Sequence, residues 1–303
     1  MHRSRNSTVE NDGRRRGRLA AAAVMAAGLL MTACVPPPEP APTDPTPDPT
    51  PSIAVSNTTG LAATGSTVTV TGQGFDPAIV EGSNGTVGVY VALGRGASTT
   101  VPEVYTSAKF VRPTGPSPET SGGAKINTDG TFSATIPVSA LFSASNSSVN
   151  CYVDSCSIYV FSAHTGSYAP WTFTKTPVIF QAPTAPMVAV SKTTGLDPAG
   201  QNVTVTGAGF AATAPGIYVV FGPVDTSTPW WLDASAFGDA KYLTGSAIGA
   251  NGTFTTTLKP VASYVGSSPV DCSTASCAIA TMKAHGSTDR SQDTVTPVTF
   301  LVD

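Results

Sequence analysis

Charge is the scarcest commodity in this chain. Asp, Glu, Lys and Arg together make up 12% of its 303 residues, about half the share of an average domain. Six of the sixteen basic residues are arginines within the first eighteen positions (Arg3, Arg5, Arg14, Arg15, Arg16 and Arg18). Without this leader, which also carries Glu10 and Asp12, ten basic and seventeen acidic residues remain, a net charge near −7. A phosphate backbone needs a basic footprint, so direct nucleic-acid binding is not expected. Histidine is almost missing: beyond the leader there are only His164 and His285. No G-x-S-x-G elbow is present, and residues 188–303 contain no glutamate, which leaves little with which to build a nucleophile and base or a carboxylate pair. No Gly-rich phosphate loop opens a helix, because no stretch beyond the leader holds a helical period with caps. We therefore expect no enzyme activity, no cofactor and no metal site.

Cysteine is also sparse, and its placement is informative. Of five cysteines, Cys34 ends the apolar run Leu19–Cys34, which follows the arginines and is too short to span a bilayer stably. The residues before it, Leu30, Met31, Thr32 and Ala33, resemble a bacterial lipobox, in which the cysteine is lipidated and becomes the new N-terminus. Residues 1–34 are read as a lipoprotein-type signal peptide, with ordinary secretion as the alternative. The expected location is extracytoplasmic, held at the membrane through lipid on Cys34.

Setting Cys34 aside leaves two pairs, Cys151 with Cys156 and Cys272 with Cys277, in VNCYVDSCSIYV and PVDCSTASCAIA. Each pair continues as C-x4-C-x7-H to His164 or His285, which admits a metal reading. Zinc, however, wants a fourth ligand and usually a shorter cysteine spacing. An exported protein keeps close pairs oxidised, so both are read as disulfides.

What the chain has in quantity is Thr, Ser, Gly, Ala, Val and Pro. Residues 35–52 read VPPPEPAPTDPTPDPTPS, in which proline removes donors and fixes φ. This is a disordered, semi-rigid polyproline II tether, on the order of 50 Å if extended. The rest is an internal duplication. AVSNTTGL (Ala54–Leu61) recurs as AVSKTTGL (Ala189–Leu196), STVTVTGQGF as QNVTVTGAGF, GVYVALG as GIYVVFG, and DGTFSATI as NGTFTTTL. The cysteine pairs follow, and each copy closes with PVIF or PVTF. We assign residues 53–181 and 188–303 to two domains joined by a linker at 182–187.

Val68 and Val70, like Val203 and Val205, alternate with threonines, the period of a strand with one buried face. Asp129-Gly130 and Asn251-Gly252 are expected to be hairpin turns in which both central residues take positive φ. Seven or so short strands per copy give an all-β fold of two tandem immunoglobulin-like β-sandwiches after the signal peptide and Pro-rich tether.

VDCSTASCAIA, together with TVTVTGAGF and the closing PVTF strand, resembles the neocarzinostatin-type apoproteins, secreted sandwiches that carry enediyne chromophores. The resemblance spans both copies and is stronger in the second. It implies the sandwich fold, with each disulfide bracing a strand-to-strand corner, and a small apolar or aromatic ligand held in a cleft. That class carries a second disulfide in the cleft-lining sheet, for which neither copy has cysteines.

Aromatic residues are the best candidates for such a site. Tyr218 and Phe221 lie in GIYVVFG, Trp230 and Trp231 follow as a pair, and Phe237 and Tyr242 continue the same variable region. Adjacent residues of an extended chain face opposite ways, so one tryptophan is expected to be exposed or to line a cleft. His285 is added because His164 occupies the same repeat position. The first copy offers Tyr90, Tyr105 and Phe110. The Asp289, Arg290 and Asp293 group is read as a solvated loop with local ion pairing. Two roles remain open: a non-catalytic chromophore-carrier-like lipoprotein binding a small apolar or aromatic ligand, or a structural or adhesive surface module binding a cell-surface protein or cell-wall partner.

Overall fold

The fold is described from a computed structural model, for residues 50–77, 88–97, 101–113, 123–163, 175–225 and 229–301. The signal peptide with Cys34, nearly all of the tether, and His164 lie outside these residues. Ser52, the last tether residue by the sequence reading, already belongs to the first strand, and Met187 likewise begins a strand rather than ending the linker.

Every described regular element is a strand or a single 3-10 turn, as expected from a chain rich in β-branched residues and poor in helix formers. The first set of strands is β1 (Ser52–Val55), β2 (Ser66–Gln73), β3 (Val89–Arg95), β4 (Val104–Arg112), β5 (Ala124–Lys125), β6 (Phe132–Val138), β7 (Leu141–Ala144), β8 (Ser147–Asn150), β9 (Cys156–Ser162) and β10 (Lys175–Pro177). The second set is β11 (Met187–Val190), β12 (Val203–Ala208), β13 (Ile217–Pro223), β14 (Asp239–Leu243), β15 (Phe254–Leu258), β16 (Ser263–Val265), β17 (Pro269–Asp271), β18 (Cys277–Lys283) and β19 (Thr294–Pro297). Sheet β1-β2-β6 faces β10-β9-β3-β4-β5 across one core; sheet β11-β12-β15 faces β14-β13-β18-β19 across another. Two short hairpins, β7-β8 and β16-β17, complete the sets. The architecture is all-β and immunoglobulin-like, as expected.

The threonine-valine alternation performs as period two requires. Val68, Val70, Val203 and Val205 are fully buried, while the intervening threonines face outward. Glycine ends each run for a reason of space: a Cβ on Gly72 or Gly207 would lie 2.1 or 2.2 Å from the ring of Phe132 or Phe254 on the neighbouring strand. Those rings in turn meet Phe75 and Phe210 edge-on, with centroids 4.9 and 5.0 Å apart. The duplication has thus kept a glycine-aromatic contact in each core.

The two DG/NG turns differ from each other. Asn251 and Gly252 both take positive φ (55° and 66°). At the other turn only Gly130 does (75°), because the Asp129 carboxylate instead accepts from the backbone N–H and hydroxyl of Thr131. The turn with two positive φ values in the first set is Ser145-Asn146, a two-residue loop between β7 and β8. Both cysteine pairs are bonded, Cys151–Cys156 and Cys272–Cys277, each just ahead of or at the start of the strand that crosses to the larger sheet.

The two sets pack on each other through that first hairpin. Strands β7 and β8 lie on β11 and β12, and Ala189 and Ala208 join the hydrophobic core of the first set. Asn150, 2% exposed, donates from Nδ2 to the Gly207 carbonyl at 2.9 Å and accepts at Oδ1 from the Tyr152 N–H at 3.1 Å. The duplication aligns Asn150 with Asp271, Leu141 with Ser263, and Met187 with Ser52. Those second-named residues are exposed, so the contacting copies are apolar or amide where the free copies are polar.

Candidate functional site: the aromatic face of the second sandwich

Strand β13 sorts its side chains by parity. Ile217, Val219 and Phe221 enter the core of the second set, whereas Tyr218, Val220 and Gly222 face outward. Register carries the outward row across the sheet: Tyr218 is opposite Tyr242 on β14 and Met282 on β18, Val220 opposite Ala240 and Ala280, and Gly222 opposite Ala278. Phe221, grouped by sequence with the ligand candidates, is therefore a core residue. It is fully buried between Tyr264 and Phe300. An apolar run with no polar alternation hides which residues face inward.

The tryptophans do not follow an extended path either. Trp230–Leu232 form a 3-10 turn, and both rings are laid on the outward row of the sheet with Phe237. Trp230 meets Trp231 and Phe237 edge-on, at 6.1 and 6.2 Å between centroids. Both tryptophans are half-buried rather than one in and one out. The small outward residues Val220, Ala278 and Ala280 leave the room these rings occupy. At the positions of Ala280 and Met282 the first copy has Tyr159 and Phe161. Its face is filled from its own strands, with Tyr90 5.5 Å from Phe110 and 5.7 Å from Phe161, and Tyr105 5.1 Å from Phe161.

Pins on both sides hold the loop of the second face. The Asp233 carboxylate accepts from the Ser235 N–H and hydroxyl and from the Ser267 hydroxyl, which keeps it below the usual carboxylate range. Tyr264 donates to the Ala236 carbonyl at 2.7 Å, and burial pushes its phenol up to about 12. From the other side Arg290 stacks on the pair, its guanidinium carbon 4.0 Å from the Trp231 centroid and 5.7 Å from that of Trp230. Arg290 also donates to Asp293 Oδ2 from Nε at 2.7 Å and from Nη2. Asp293 is nevertheless raised, because the loss of water around its carboxyl outweighs the attraction of Arg290. Asp289, exposed, is lowered chiefly by Lys283, which donates to it at 2.8 Å. The ion pairing expected of this segment is present. Its stacking on the tryptophans was not foreseen, since a fold is needed to bring Arg290 to the indoles. Trp231 Nε1 and Asp293 Oδ1 are buried without a hydrogen-bond partner.

At the far end of the face, Tyr218, Tyr242 and His285 form a ring cluster with centroids 5.3 to 5.8 Å apart. His285 holds φ at 61° and places Nδ1 3.4 Å from the Tyr218 hydroxyl. Tyr242 is exposed and donates to the Pro215 carbonyl. Of the seven predicted ligand residues, six thus share one face, in two patches, and one does not.

A sequence profile of the IPT/TIG domain, an immunoglobulin-like module, matches residues 51–144, which span β1 to β7. This agrees with the immunoglobulin-like fold. No curated protein matches the chain. Among solved structures, the adhesin FdeC of Escherichia coli is similar at 12% identity over 82% of this chain, with a TM-score of 0.23. The adhesin InvE of Yersinia pseudotuberculosis is similar at 15% identity over 83% of this chain, with a TM-score of 0.21. The chain covers 63% and 59% of those two structures.

Proposed function

We propose that this chain is a non-catalytic, extracytoplasmic surface module whose paired sandwiches are carried on a lipid-anchored tether and present an interaction surface to protein or cell-wall partners. One observation carries the choice over a small-ligand carrier. The outward face of β13 and β18, where a cleft ligand would lie, is covered by the chain's own Trp230, Trp231 and Phe237, and their loop is pinned by Asp233, Tyr264 and Arg290. The docked hairpin β7-β8 adds to this reading, because it makes the two sandwiches one body suited to spacing and display. Two disulfides suit an oxidising compartment outside the cytoplasm. His285 has tyrosine neighbours rather than a nucleophile to activate, which supports the non-catalytic reading.

The carrier remains the second reading, favoured by one feature: the unpartnered Trp231 Nε1 is a donor that a bound molecule could satisfy. Native mass spectrometry of the chain isolated from its own cells separates the two. The polypeptide with its lipid alone is the expected mass; a co-purifying organic molecule lost in Trp231→Ala overturns the proposal in favour of the carrier. Fractionation tests the anchor, with Cys34→Ala expected to move the chain out of the membrane fraction.

A further inference from the structure

The contact between the two sandwiches leaves a crevice of about 370 Å³, lined by Arg95, Ser148, Asp154, Thr204, Thr206 and Thr255 among others. Its size falls in the ~300–1,000 Å³ range of small-molecule sites, and its side chains offer hydroxyl, amide and charged groups beside a similar extent of carbon surface, with Val153 the one wholly apolar residue. Two of its polar atoms are buried with no hydrogen-bond partner, Arg95 Nε and Ser148 Oγ. Ser148 is only 9% exposed. Leaving such groups unpaired costs about 1–3 kcal/mol each, so each calls for an explanation. Arg95 is held from one side: Nη1 donates to Asp154 Oδ1 at 3.4 Å, and Asp154 Oδ2 accepts from the Asn150 N–H at 3.0 Å. Opposite, the second sandwich contributes Thr204 and Thr206 on β12 and Thr255, directly across from Thr206 on β15.

We infer that this crevice is a binding site for a neutral oligosaccharide, formed only when both sandwiches are present. A sugar hydroxyl is donor and acceptor at once, so one vicinal pair can accept from Arg95 Nε and bond Ser148 Oγ while its other lone pairs and hydrogens meet the threonines. An anion is disfavoured, because Asp154 pairs with Arg95 here and Glu103 joins both residues in lining a further crevice of about 400 Å³. An apolar ligand would strand the hydroxyls. The inference rests on the surface-module reading for where the glycan is met, and it narrows the partner of that reading to a carbohydrate. Neither Arg95 nor Ser148 carries a sequence signal, since the site exists only through the packing of β7-β8 on β11 and β12.

The test is retention of the labelled full-length chain on immobilised neutral oligosaccharides of glucose, mannose, galactose, arabinose and N-acetylglucosamine, with polyuronate and bare matrix as controls. At least one neutral glycan should retain the chain. Arg95→Ala should weaken that retention at least tenfold. Thr255→Trp, at an exposed strand position where folding is not at stake, should do the same by filling the crevice. Retention by no neutral glycan, retention by polyuronate alone, or retention unchanged in both variants overturns the inference; in the first case the crevice houses water only. Failure here with the chain still at the surface leaves the surface-module reading standing. Glycan retention by a chain that fractionates inside the cell overturns that reading and keeps the site.

Discussion

Replacing Asn150 by alanine should cost far more than the same change at Asp271, the residue the duplication aligns with it. Asn150 is sealed between the two sandwiches, with its amide bonded to the Gly207 carbonyl at 2.9 Å and its oxygen to the Tyr152 N–H at 3.1 Å. Alanine strips a partner from the buried Gly207 carbonyl, at about 1–3 kcal/mol, and from the half-buried Tyr152 N–H, at the low end of that range, so a loss of about 2–4 kcal/mol is expected. Asp271 is exposed and only caps its own turn, accepting from the Ser273 N–H and hydroxyl; its loss should cost about 1 kcal/mol or less. Urea unfolding of the full chain, followed by circular dichroism and by tryptophan fluorescence, measures both. With Trp171 of the first copy replaced by phenylalanine, Trp230 and Trp231 report on the second sandwich alone, so the two probes should also separate in Asn150→Ala if the hairpin contact couples the unfolding of both sets. Equal costs for the two substitutions would refute the view that Asn150 joins the sandwiches.

Phe221→Ala should lower stability by about 3–5 kcal/mol, as for a large core aromatic, and the same urea titration checks it; a change below about 1 kcal/mol would return Phe221 to the surface. Replacing Cys272 and Cys277 together by serine should cost about 2 kcal/mol, because the loop they close is short, and thiol labelling of the unfolded, unreduced chain should find neither cysteine free in the parent protein. Tyr264 keeps its proton in the fold to a pH of about 12, against the ordinary 10.0. Between those values the unfolded chain binds fewer protons than the folded one, so stability is full below pH 10 and falls as pH rises toward 12. Tyr264→Phe, which cannot ionise, should flatten that fall in a melting-temperature series.

The parts of the fold legible in the sequence are those set by local pattern. Valines alternating with threonines named the buried faces of β2 and β12 correctly, and the two C-x4-C pairs formed the disulfides. Legibility failed where neighbours decide. In GIYVVFG every side chain suits a core, so only the register against β18 shows that Phe221 enters and Tyr218 does not. The tryptophan argument assumed extended backbone, and a 3-10 turn removed its premise. Arg290 read as a solvated ion-pair residue because nothing within a few positions of it is aromatic. Asn150 and Ser148 carried no signal, since the Gly207 carbonyl that Asn150 bonds and the threonines across the crevice from Ser148 lie fifty or more residues away in a different sandwich. The Ser145-Asn146 turn was missed because its residues are not the glycine pairs that such turns favour.

The hairpin contact is heterologous: the tail of one sandwich meets the head of the next, an operation that could repeat without limit. Arrays of this kind grow into fibres unless their terminal units are made unfit for a further neighbour. Here the head of the first sandwich presents Ser52 where Met187 stands in the second, and the tail of the second presents Ser263 and Asp271 where the first has Leu141 and Asn150. Asp271, with no proton to donate at neutral pH, cannot make the bond to a backbone carbonyl that Asn150 makes. The limit on self-association is therefore written into three side chains, which leave neither outer face fit to receive a further copy of the same contact.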